Sequence, residues 1–249
     1  MDRLKNLERI INYLKSEDPR LSGLPVPDGL KGRQQMMRAL LNIREPKPVS
    51  DDFIKAQDAE LQQQKEDKGI VEVDGNLWQG DITRLKVDAI VNAANSQMLG
   101  CFRPLHNCID NAIHSAAGVE LRIACYDTMR KLGREAHTSE TIITKGYNLP
   151  AKYVIHTVGP IISNGIPTPG QEMQLANCYR HCLELADSKG LHSIAFCCIS
   201  TGVFMFPPKR AAEIAVSSVK AWLAAHSSSI TQVIFNVYKD SDYDIYKTL

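Results

Sequence analysis

Two thiols and an imidazole stand close together in one short stretch of the chain. Cys101, His106 and Cys108 fall within "GCFRPLHNC", which follows the apolar run "VDAIVNAANSQML". Thiolate and imidazole suit zinc, and three protein ligands leave one tetrahedral position open, as in catalytic zinc sites. The spacing C-x4-H-x-C therefore indicates a site for one zinc ion per chain. In the competing interpretation, the two cysteines are small apolar fillers and His106 is a surface residue.

Two asparagines bracket the turn at the end of the same apolar run. Asn92 and Asn95 both lie in "NAANSQ". A side-chain amide donates and accepts hydrogen bonds, which suits a ligand that carries hydroxyl groups. Asparagine also tolerates the left-handed backbone of turns, so turn geometry alone is the alternative role.

The elements that must position these residues alternate from about residue 70 onward. "GIVEV" and "NLWQGDI" indicate a hairpin or paired strands, and "DAIVNAAN", "TIITKGY", "YVIHTVGP", "SIAFCCIS" and "QVIFNVY" indicate further strands. Helical stretches are expected at 109–117, 119–132, 171–188 and 210–225. Such alternation predicts a three-layer α/β domain, in which ligands bind beyond the carboxyl ends of the strands. "NAANSQ" and "STGVFMFP" follow predicted strands at that edge.

The first 68 residues have a different pattern. Apolar residues recur at helical spacing from Leu4 to Leu14, "RQQMMRALLNI" forms a second helical stretch, and Ser50 begins a third. We expect a helical extension over 1–68 and the α/β domain over 69–249. The extension has few apolar residues, so we expect it to lack a deep core of its own and to pack on the α/β domain.

Composition excludes several classes of protein. The 29 basic and 28 acidic residues give a net charge of +1, so no broad basic field favours nucleic acid. No apolar run approaches the roughly 20 residues of a membrane span, and the charged start lacks the apolar core of a secretory signal. We therefore expect a cytoplasmic monomer without a membrane partner. Seven scattered cysteines favour free thiols or metal ligands over disulfides, and only Cys101 and Cys108 have an evident partner set.

Five motifs in order resemble the macrodomain family, an ADP-ribose-binding α/β module. They are "QGDIT" (79–83), "VDAIVNAAN" (87–95), "AIHSAAG" (112–118), "TKGYNLPAKYVIHTVGP" (144–160) and "ISTGVFMFP" (199–207). The resemblance covers roughly residues 70 to 249. It implies a three-layer fold with a mixed, largely parallel sheet between helices.

The stretch from residue 100 to 114 departs from the family's usual glycine run. Its replacement, "GCFRPLHNCIDNAIH", resembles the zinc-dependent microbial macrodomains, which also carry an N-terminal helical extension. This resemblance implies removal of ADP-ribose from modified proteins, with an acidic acceptor side chain favoured. It also implies two associates, a sirtuin-type transferase and a lipoyl-carrier protein.

The resemblance assigns roles to individual residues. It places Asn95 at the distal ribose, Asp81 at the adenine amino group and the backbone N–H of Ile82 at the ring. For Asp81, capping of a helix or turn is the alternative role. It makes Ser200, Thr201, Gly202, Val203 and Phe204 the diphosphate loop, although Met205 stands where the family often has a second glycine. Tyr238 is expected to stack on adenine, with a core-edge position as the alternative. His114 and His156 are expected to be structural.

Asp110 aligns with the acidic residue of the zinc-free hydrolases once the longer loop is allowed for. It is expected to orient water or the ribose, and capping of the helix at 109 is the alternative. Asp110 and Asn95 are therefore the candidate catalytic residues beside the metal ligands. Three functions fit the same pocket: a zinc-dependent ADP-ribosyl hydrolase, a non-catalytic ADP-ribose reader and an O-acyl-ADP-ribose deacylase.

Overall fold

A mixed six-stranded sheet forms the centre of the computed structural model, which describes residues 2–249. The strands lie in the order β1-β6-β5-β2-β4-β3, and only β3 is antiparallel to its neighbour. Their bounds are β1 Leu77–Gln79, β2 Ala89–Ala94, β3 Thr141–Lys145, β4 Tyr153–Val158, β5 Ser193–Phe196 and β6 Gln232–Val237. β2 and β5 are apolar in almost every position because helices cover both faces of a sheet of this kind.

Helices flank this sheet and complete the core. In the α/β part they are α4 Ile109–Ala117, α5 Val119–Leu132, α6 Pro169–Ser188, α7 Pro208–Ala225 and α8 Asp240–Tyr246. The helices α4 and α5 contact β2 and β3, whereas α6 and α7 pack on each other. The predicted three-layer α/β fold with a largely parallel sheet is confirmed.

The N-terminal segment forms three helices: α1 Arg3–Ser16, α2 Leu30–Ile43 and α3 Asp51–Lys68. The expectation that they lack a core of their own is wrong. They enclose a separate apolar cluster that includes Leu7, Ile10, Met37 and Phe53, and Val119 of α5 closes it. Each of the three helices has only a modest apolar face. The three faces meet, and together they bury enough apolar surface to form a core.

The junction between the extension and the α/β domain is polar and tightly fitted. Gly118 joins α4 to α5 at a φ of 99°, and a methyl group there would come within 2.6 Å of the Gln57 side chain. The side-chain Oε1 of Gln57 accepts the N–H of Val119 at 2.9 Å. Gly118 is therefore required both for the left-handed backbone and for this close approach.

Three details of the secondary structure differ from the sequence prediction. "GIVEV" does not pair with "NLWQGDI": Val71 makes only an isolated bridge with Leu85, and β1 pairs in parallel with β6. Strand β5 ends at Phe196, so Cys197 and Cys198 lie just beyond it. The helix α8 carries no strong apolar periodicity and was not expected.

None of the helices within residues 2–249 is both long and apolar enough to cross a membrane.

Candidate functional site

One cavity of about 780 Å³ lies at the carboxyl ends of the five parallel strands. The residue directly after each of these strands lines the cavity: Gly80 after β1, Asn95 after β2, Gly159 after β4, Cys197 after β5 and Tyr238 after β6. Parallel strands end at the same edge of a sheet, which is why residues distant in sequence meet here. The volume is in the range of cofactor and ligand pockets.

Cys101, His106 and Cys108, hereafter the cavity cluster, lie together at this cavity. Their candidate ligand atoms are within 4.8 Å of one another, and Cys101 Sγ is 3.5 Å from His106 Nδ1. All three side chains are half-buried and line the cavity. Two thiols and one imidazole at this spacing fit a three-ligand zinc site with a position left for water or substrate.

The thiol of Cys108 has a second local role. It is the N-cap of α4, and its Sγ accepts the N–H of Asn111 at 3.4 Å. Burial raises the pKa of the Cys108 thiol to about 12; the Asn111 N–H acts in the opposite direction, and the neighbouring Cys101 raises the pKa further. Without a cation the thiol is therefore protonated at neutral pH, and metal binding would have to release its proton.

Asp110 is buried beside the cavity cluster and also lines the cavity. Its Oδ1 accepts a 2.8 Å hydrogen bond from Asn92. Asp110 lies in the first turn of α4, but Cys108 is the N-cap of that helix. Burial raises the pKa of Asp110 to about 6, against the lowering effects of the Asn92 amide and the Arg122 charge.

Asn92 does not line the cavity, contrary to the expectation that it contacts the ligand. Its side chain is fully buried, and Nδ2 reaches both Asp110 Oδ1 and His156 Nδ1, the latter at 3.1 Å. Asn92 lies inside β2, whereas Asn95 follows the last residue of that strand and so lies at the edge of the sheet where the cavity opens. Asn92 is placed to orient Asp110.

Asn95 lines the cavity, but its side-chain amide already makes hydrogen bonds to backbone groups of the residues that follow it. Oδ1 accepts the N–H of Gln97 at 3.0 Å, and Nδ2 donates to the carbonyl of Gly100 at 3.3 Å. The turn role is therefore present in the structure. The cavity position leaves the amide edge within reach of a ligand hydroxyl as well.

A second group of similar residues, His114, Cys125 and His156, lies behind the cavity and is called the buried cluster. Their ligand atoms are also within 4.8 Å of one another, and all three side chains are buried. The interpretation that Cys125 has no partner set is therefore wrong. Because β4 places His156 beside β2 and α5 places Cys125 above it, only the fold could reveal this group.

The two imidazoles of the buried cluster are held neutral. Burial lowers the pKa of His156 to about 3 and lowers that of His114 well below its ordinary value. His156 uses both nitrogens, one with Asn92 and the other with Thr144 Oγ1 at 3.0 Å. His114 Nε2 lies 3.6 Å from Asp110 Oδ1. The cluster is thus a polar support under Asp110 and not part of the cavity wall.

In the part of the chain that the structure describes, the loop of residues 200–204 leaves several backbone N–H groups without a protein partner at the cavity. Within residues 2–249, the N–H groups of Gly202, Val203 and Phe204 have no protein acceptor. The loop is closed by a 3.0 Å bond from the Phe206 N–H to the Ser200 carbonyl. Free N–H groups that converge on one side of a loop attract phosphate oxygens.

Two departures from glycine do not prevent this loop from forming. Ser200 has a φ of 66° and Met205, at the position where a second glycine was expected, has a φ of 54°. The Met205 side chain is exposed, so packing adds nothing to the intrinsic cost of its left-handed backbone, which is about 1–2 kcal/mol for a non-glycine residue. Thr201 is half-buried and also lines the cavity, as the sequence motif predicts.

Asp81, Ile82 and Tyr238 form the far end of the cavity. Asp81 Oδ1 accepts the Thr83 N–H at 3.0 Å, and Oδ2 lies 3.3 Å from Lys68 Nζ. Burial raises the pKa of Asp81, but the Lys68 charge and the Thr83 hydrogen bonds outweigh it, so the net pKa is lowered. The Ile82 side chain is buried, which leaves its backbone as the contact, and Tyr238 is 71% exposed at the rim rather than part of the core.

The extension supplies a wall of the cavity that sequence reasoning missed. Helix α2 presents a face at i, i+3, i+4 and i+7, and α3 presents another with the same spacing: Lys31, Gln34, Gln35, Arg38, Leu61, Gln64, Lys65 and Lys68. Such polar faces are usually solvent-exposed, so the sequence carried no signal that they face a ligand cavity.

The cavity is lined by a loop with free backbone N–H groups, by Asp81 and by a Cys/His cluster, and its place at the carboxyl ends of parallel strands is that of the ligand site in an α/β domain. The family described as Macro domain matches residues 91–215. The chain belongs to this family.

Relatives extend the match to nearly the whole chain. A protein of Treponema medium named protein-ADP-ribose hydrolase is 46% identical over 252 residues and covers 96% of each chain. A solved variant of the Oceanobacillus iheyensis macrodomain with ADPR is 41% identical, with a TM-score of 0.62, and covers 71% of this chain and 92% of its own. The Trypanosoma brucei macrodomain in complex with ADP-ribose is 30% identical, with a TM-score of 0.60, and covers 96% of this chain and 85% of its own.

Proposed function

We infer that this chain is a hydrolase that removes ADP-ribose from ADP-ribosylated proteins, and we propose that it does so with one zinc ion held by Cys101, His106 and Cys108. The observation that carries the proposal is that one cavity is lined by the cavity cluster, Asp110 and the 200–204 loop. The relative named protein-ADP-ribose hydrolase, similar over nearly its full length, supports the reaction class.

The 200–204 loop and the far end of the cavity would hold the nucleotide. The free N–H groups of Gly202, Val203 and Phe204 would bind the diphosphate. Asp81, which its low pKa keeps ionised, would accept from the adenine amino group, and Tyr238 would cover the ring. Binding along this length fixes the distal ribose at the cavity cluster, so most of the orientation is supplied away from the reacting bond.

Asn95 and Asp110 would act at the ribose. Asn95 would bind a ribose hydroxyl, and Asp110 would orient a water molecule or that hydroxyl with the oxygen that Asn92 does not occupy. Asn92 and the buried cluster hold Asp110 at a fixed position. A zinc ion, when bound, would supply a water of lowered pKa or polarise the substrate oxygen.

The linkage and the partners follow from the resemblance of the Cys/His loop to zinc-dependent microbial macrodomains. We propose an acidic acceptor side chain, since an ester carbonyl is readily polarised by a cation. A lipoyl-carrier protein, modified by a sirtuin-type transferase, is the proposed protein substrate.

The test combines metal content with product release. Purified chain should contain about one zinc ion, and it should release ADP-ribose from a protein modified on glutamate or aspartate. Treatment with a chelator should abolish release, and added zinc should restore it. Release at an unchanged rate after zinc has been removed to below detection would contradict the zinc-dependent proposal while leaving the hydrolase assignment standing.

Two other functions use the same cavity and are separated by the same assay. A reader would bind ADP-ribosylated protein at all metal contents and release nothing. A deacylase would hydrolyse O-acyl-ADP-ribose and leave ADP-ribosylated protein intact. The open side of the cavity cluster favours catalysis, because a reader needs no ligand position left free on a metal.

A further inference from the structure

We propose that the N-terminal extension positions the metal-binding loop, with Arg38 and Asn42 of α2 as the positioning residues. This inference rests on the zinc site proposed above. It gives the first 68 residues a defined role, which is to hold the loop of residues 100–108, called here the Cys/His loop, in the conformation that brings its three ligands together.

Apolar packing holds the Cys/His loop weakly. Of residues 101–108, none is buried, and Leu105 at the tip is 45% exposed. Leu105 also has a φ of 55°, a left-handed backbone that residues with a branched side chain rarely adopt. A loop with little buried apolar surface and an unfavourable backbone needs other contacts to persist.

Arg38 supplies such contacts at the histidine ligand. Its Nη2 donates to the carbonyl of His106 at 3.3 Å and to Asn111 Oδ1 at 2.7 Å, while Nε donates to the same Asn111 oxygen at 3.2 Å. Asn111 is buried, and its Nδ2 donates to the carbonyl of Arg103 at 3.0 Å, so Asn111 links Arg38 to a second residue of the loop. The guanidinium thus fixes the loop on both sides of its tip.

Asn42 holds the tip itself. Its Oδ1 accepts the N–H of Leu105 at 3.0 Å, the residue with the unfavourable backbone. Its Nδ2 donates to Ser115 Oγ of α4 at 2.9 Å. Asn42 is 1% exposed, and its amide is held by Leu105 of the loop on one side and by Ser115 of α4 on the other.

Arg122 of α5 connects the extension to the start of the loop. Nε donates to the carbonyl of Leu99 at 2.7 Å, and Nη1 donates to carbonyls at the end of α2, including that of Asn42 at 2.9 Å. Its guanidinium also lies 4.2 Å from the centre of the Phe102 ring. Three elements from separate parts of the chain therefore meet at the Cys/His loop.

The arrangement predicts that zinc affinity depends on residues that do not touch the metal. Outer partners of metal ligands typically change metal affinity by about 10- to 100-fold when they are removed. Arg38→Gln should lower zinc affinity within that range, and Asn42→Ala should do the same. Arg38→Lys should give an intermediate value, because an ammonium cannot bond two acceptors with the geometry of a guanidinium.

The experiment measures zinc affinity by competition with a chromogenic chelator, and hydrogen exchange of the loop amides in zinc-free protein. Arg9→Gln is the matched control, since Arg9 lies in the same helical layer and makes only an exposed ion pair with Asp52. The control should retain wild-type zinc affinity and loop exchange. Arg38→Gln and Asn42→Ala should speed exchange of the loop amides while the amides of β2 and β4 stay protected.

The outcomes separate this inference from the proposed function. If the wild-type chain binds zinc and both variants bind it as tightly as Arg9→Gln does, the positioning role is wrong and the zinc proposal stands. If the wild-type chain binds no zinc, the zinc proposal fails, and loop exchange alone decides the positioning role. Unchanged loop exchange in both variants overturns it. Should Arg38→Gln not fold, Arg38→Lys and Asn42→Ala decide the question by the same measurements.

Discussion

The cavity cluster and the buried cluster contain the same kinds of side chain in different settings. Cys101, His106 and Cys108 are half-buried and line a cavity, whereas the three residues of the buried cluster have almost no solvent access. In the buried cluster, His156 has partners on both ring nitrogens and is kept neutral. Ligand-like residues at short distances therefore do not define a metal site by themselves. Access to the cavity distinguishes the cluster that we propose to bind an ion from the one that is enclosed in the core.

The largest effect should come from breaking the cavity cluster. Cys108→Ser keeps a hydroxyl at the N-cap of α4, so the fold should be preserved while a proposed zinc ligand is lost. We expect loss of bound zinc and a fall in the rate of ADP-ribose release of more than about 100-fold, beyond the effect of outer partners alone.

The matched control for this variant is Cys125→Ala, which removes a thiol from the buried cluster. Elemental analysis should find wild-type zinc in Cys125→Ala and none in Cys108→Ser. Full zinc content in a Cys101→Ala, Cys108→Ser double variant would show that the ion is held elsewhere.

Asp110 connects the two clusters, and its replacement should have the next largest effect. Asp110→Ala should lower kcat by about 10- to 1000-fold, near the range for groups that assist proton transfer. Zinc content and affinity for free ADP-ribose should change little, because the 200–204 loop and the cavity cluster stay intact. Single-turnover release from modified protein measures this effect.

His106→Ala provides the comparison for Asp110→Ala. It removes a ligand and should lower the rate further than Asp110→Ala does. A nearly wild-type rate in His106→Ala together with an inactive Asp110→Ala would place the chemistry on the carboxyl and not on a metal.

Replacing a residue of the buried cluster should affect stability and leave the metal in place. His156→Ala removes a buried ring and two hydrogen bonds, which should lower the free energy of unfolding by about 2–4 kcal/mol. Urea unfolding measures the loss. The exposed His137→Ala should change it by less than about 0.5 kcal/mol. Loss of zinc from folded His156→Ala would mean that the two clusters are not separate.

The pH dependence of stability should report the buried cluster. The folded pKa of His156, about 3, lies below the unfolded value near 6.5, so the unfolded chain binds the additional proton in between. The contribution of His156 to the free energy of unfolding should therefore be fully present above pH 6.5. It should fall by up to about 1.4 kcal/mol per pH unit below that pH.

The neighbouring groups that titrate are His114, whose pKa is also lowered, together with Cys125 and, through Asn92, Asp110. His156→Phe should reduce the slope of unfolding free energy against pH between 6 and 5. An unchanged slope would assign the pH dependence to other groups.

The smallest effect should be that of zinc removal on nucleotide binding. In the proposed binding mode, the 200–204 loop and Asp81 would hold the diphosphate and adenine away from the cavity cluster, so chelated protein should bind free ADP-ribose only several-fold more weakly, about 1 kcal/mol. Calorimetry measures this difference. Abolished binding after chelation would mean that the ion, and not the loop, anchors the ligand.

The sequence predicted most strands, most helices and the ordered motifs of the α/β domain because these depend on local patterns. β2 is a short apolar run followed by helical stretches, and Ser50 marks the start of α3. "STGVFMF" contains a glycine, as expected for a loop that binds phosphate. Cys101, His106 and Cys108 are only seven positions apart, so a short loop can bring them together without help from distant segments.

The tertiary structure decided everything that depends on segments meeting across the chain. Sequence alternation could not show that Asn92 is turned away from the cavity toward Asp110, or that His156 and Cys125 pack beneath it. The polar faces of α2 and α3 resemble ordinary solvent-exposed faces until packing places them over the cavity. Arg38 and Asn42 contact the Cys/His loop from more than 60 positions away in sequence. Such long-range hydrogen bonds leave no periodic trace in the sequence, because their geometry exists only after both cores have formed.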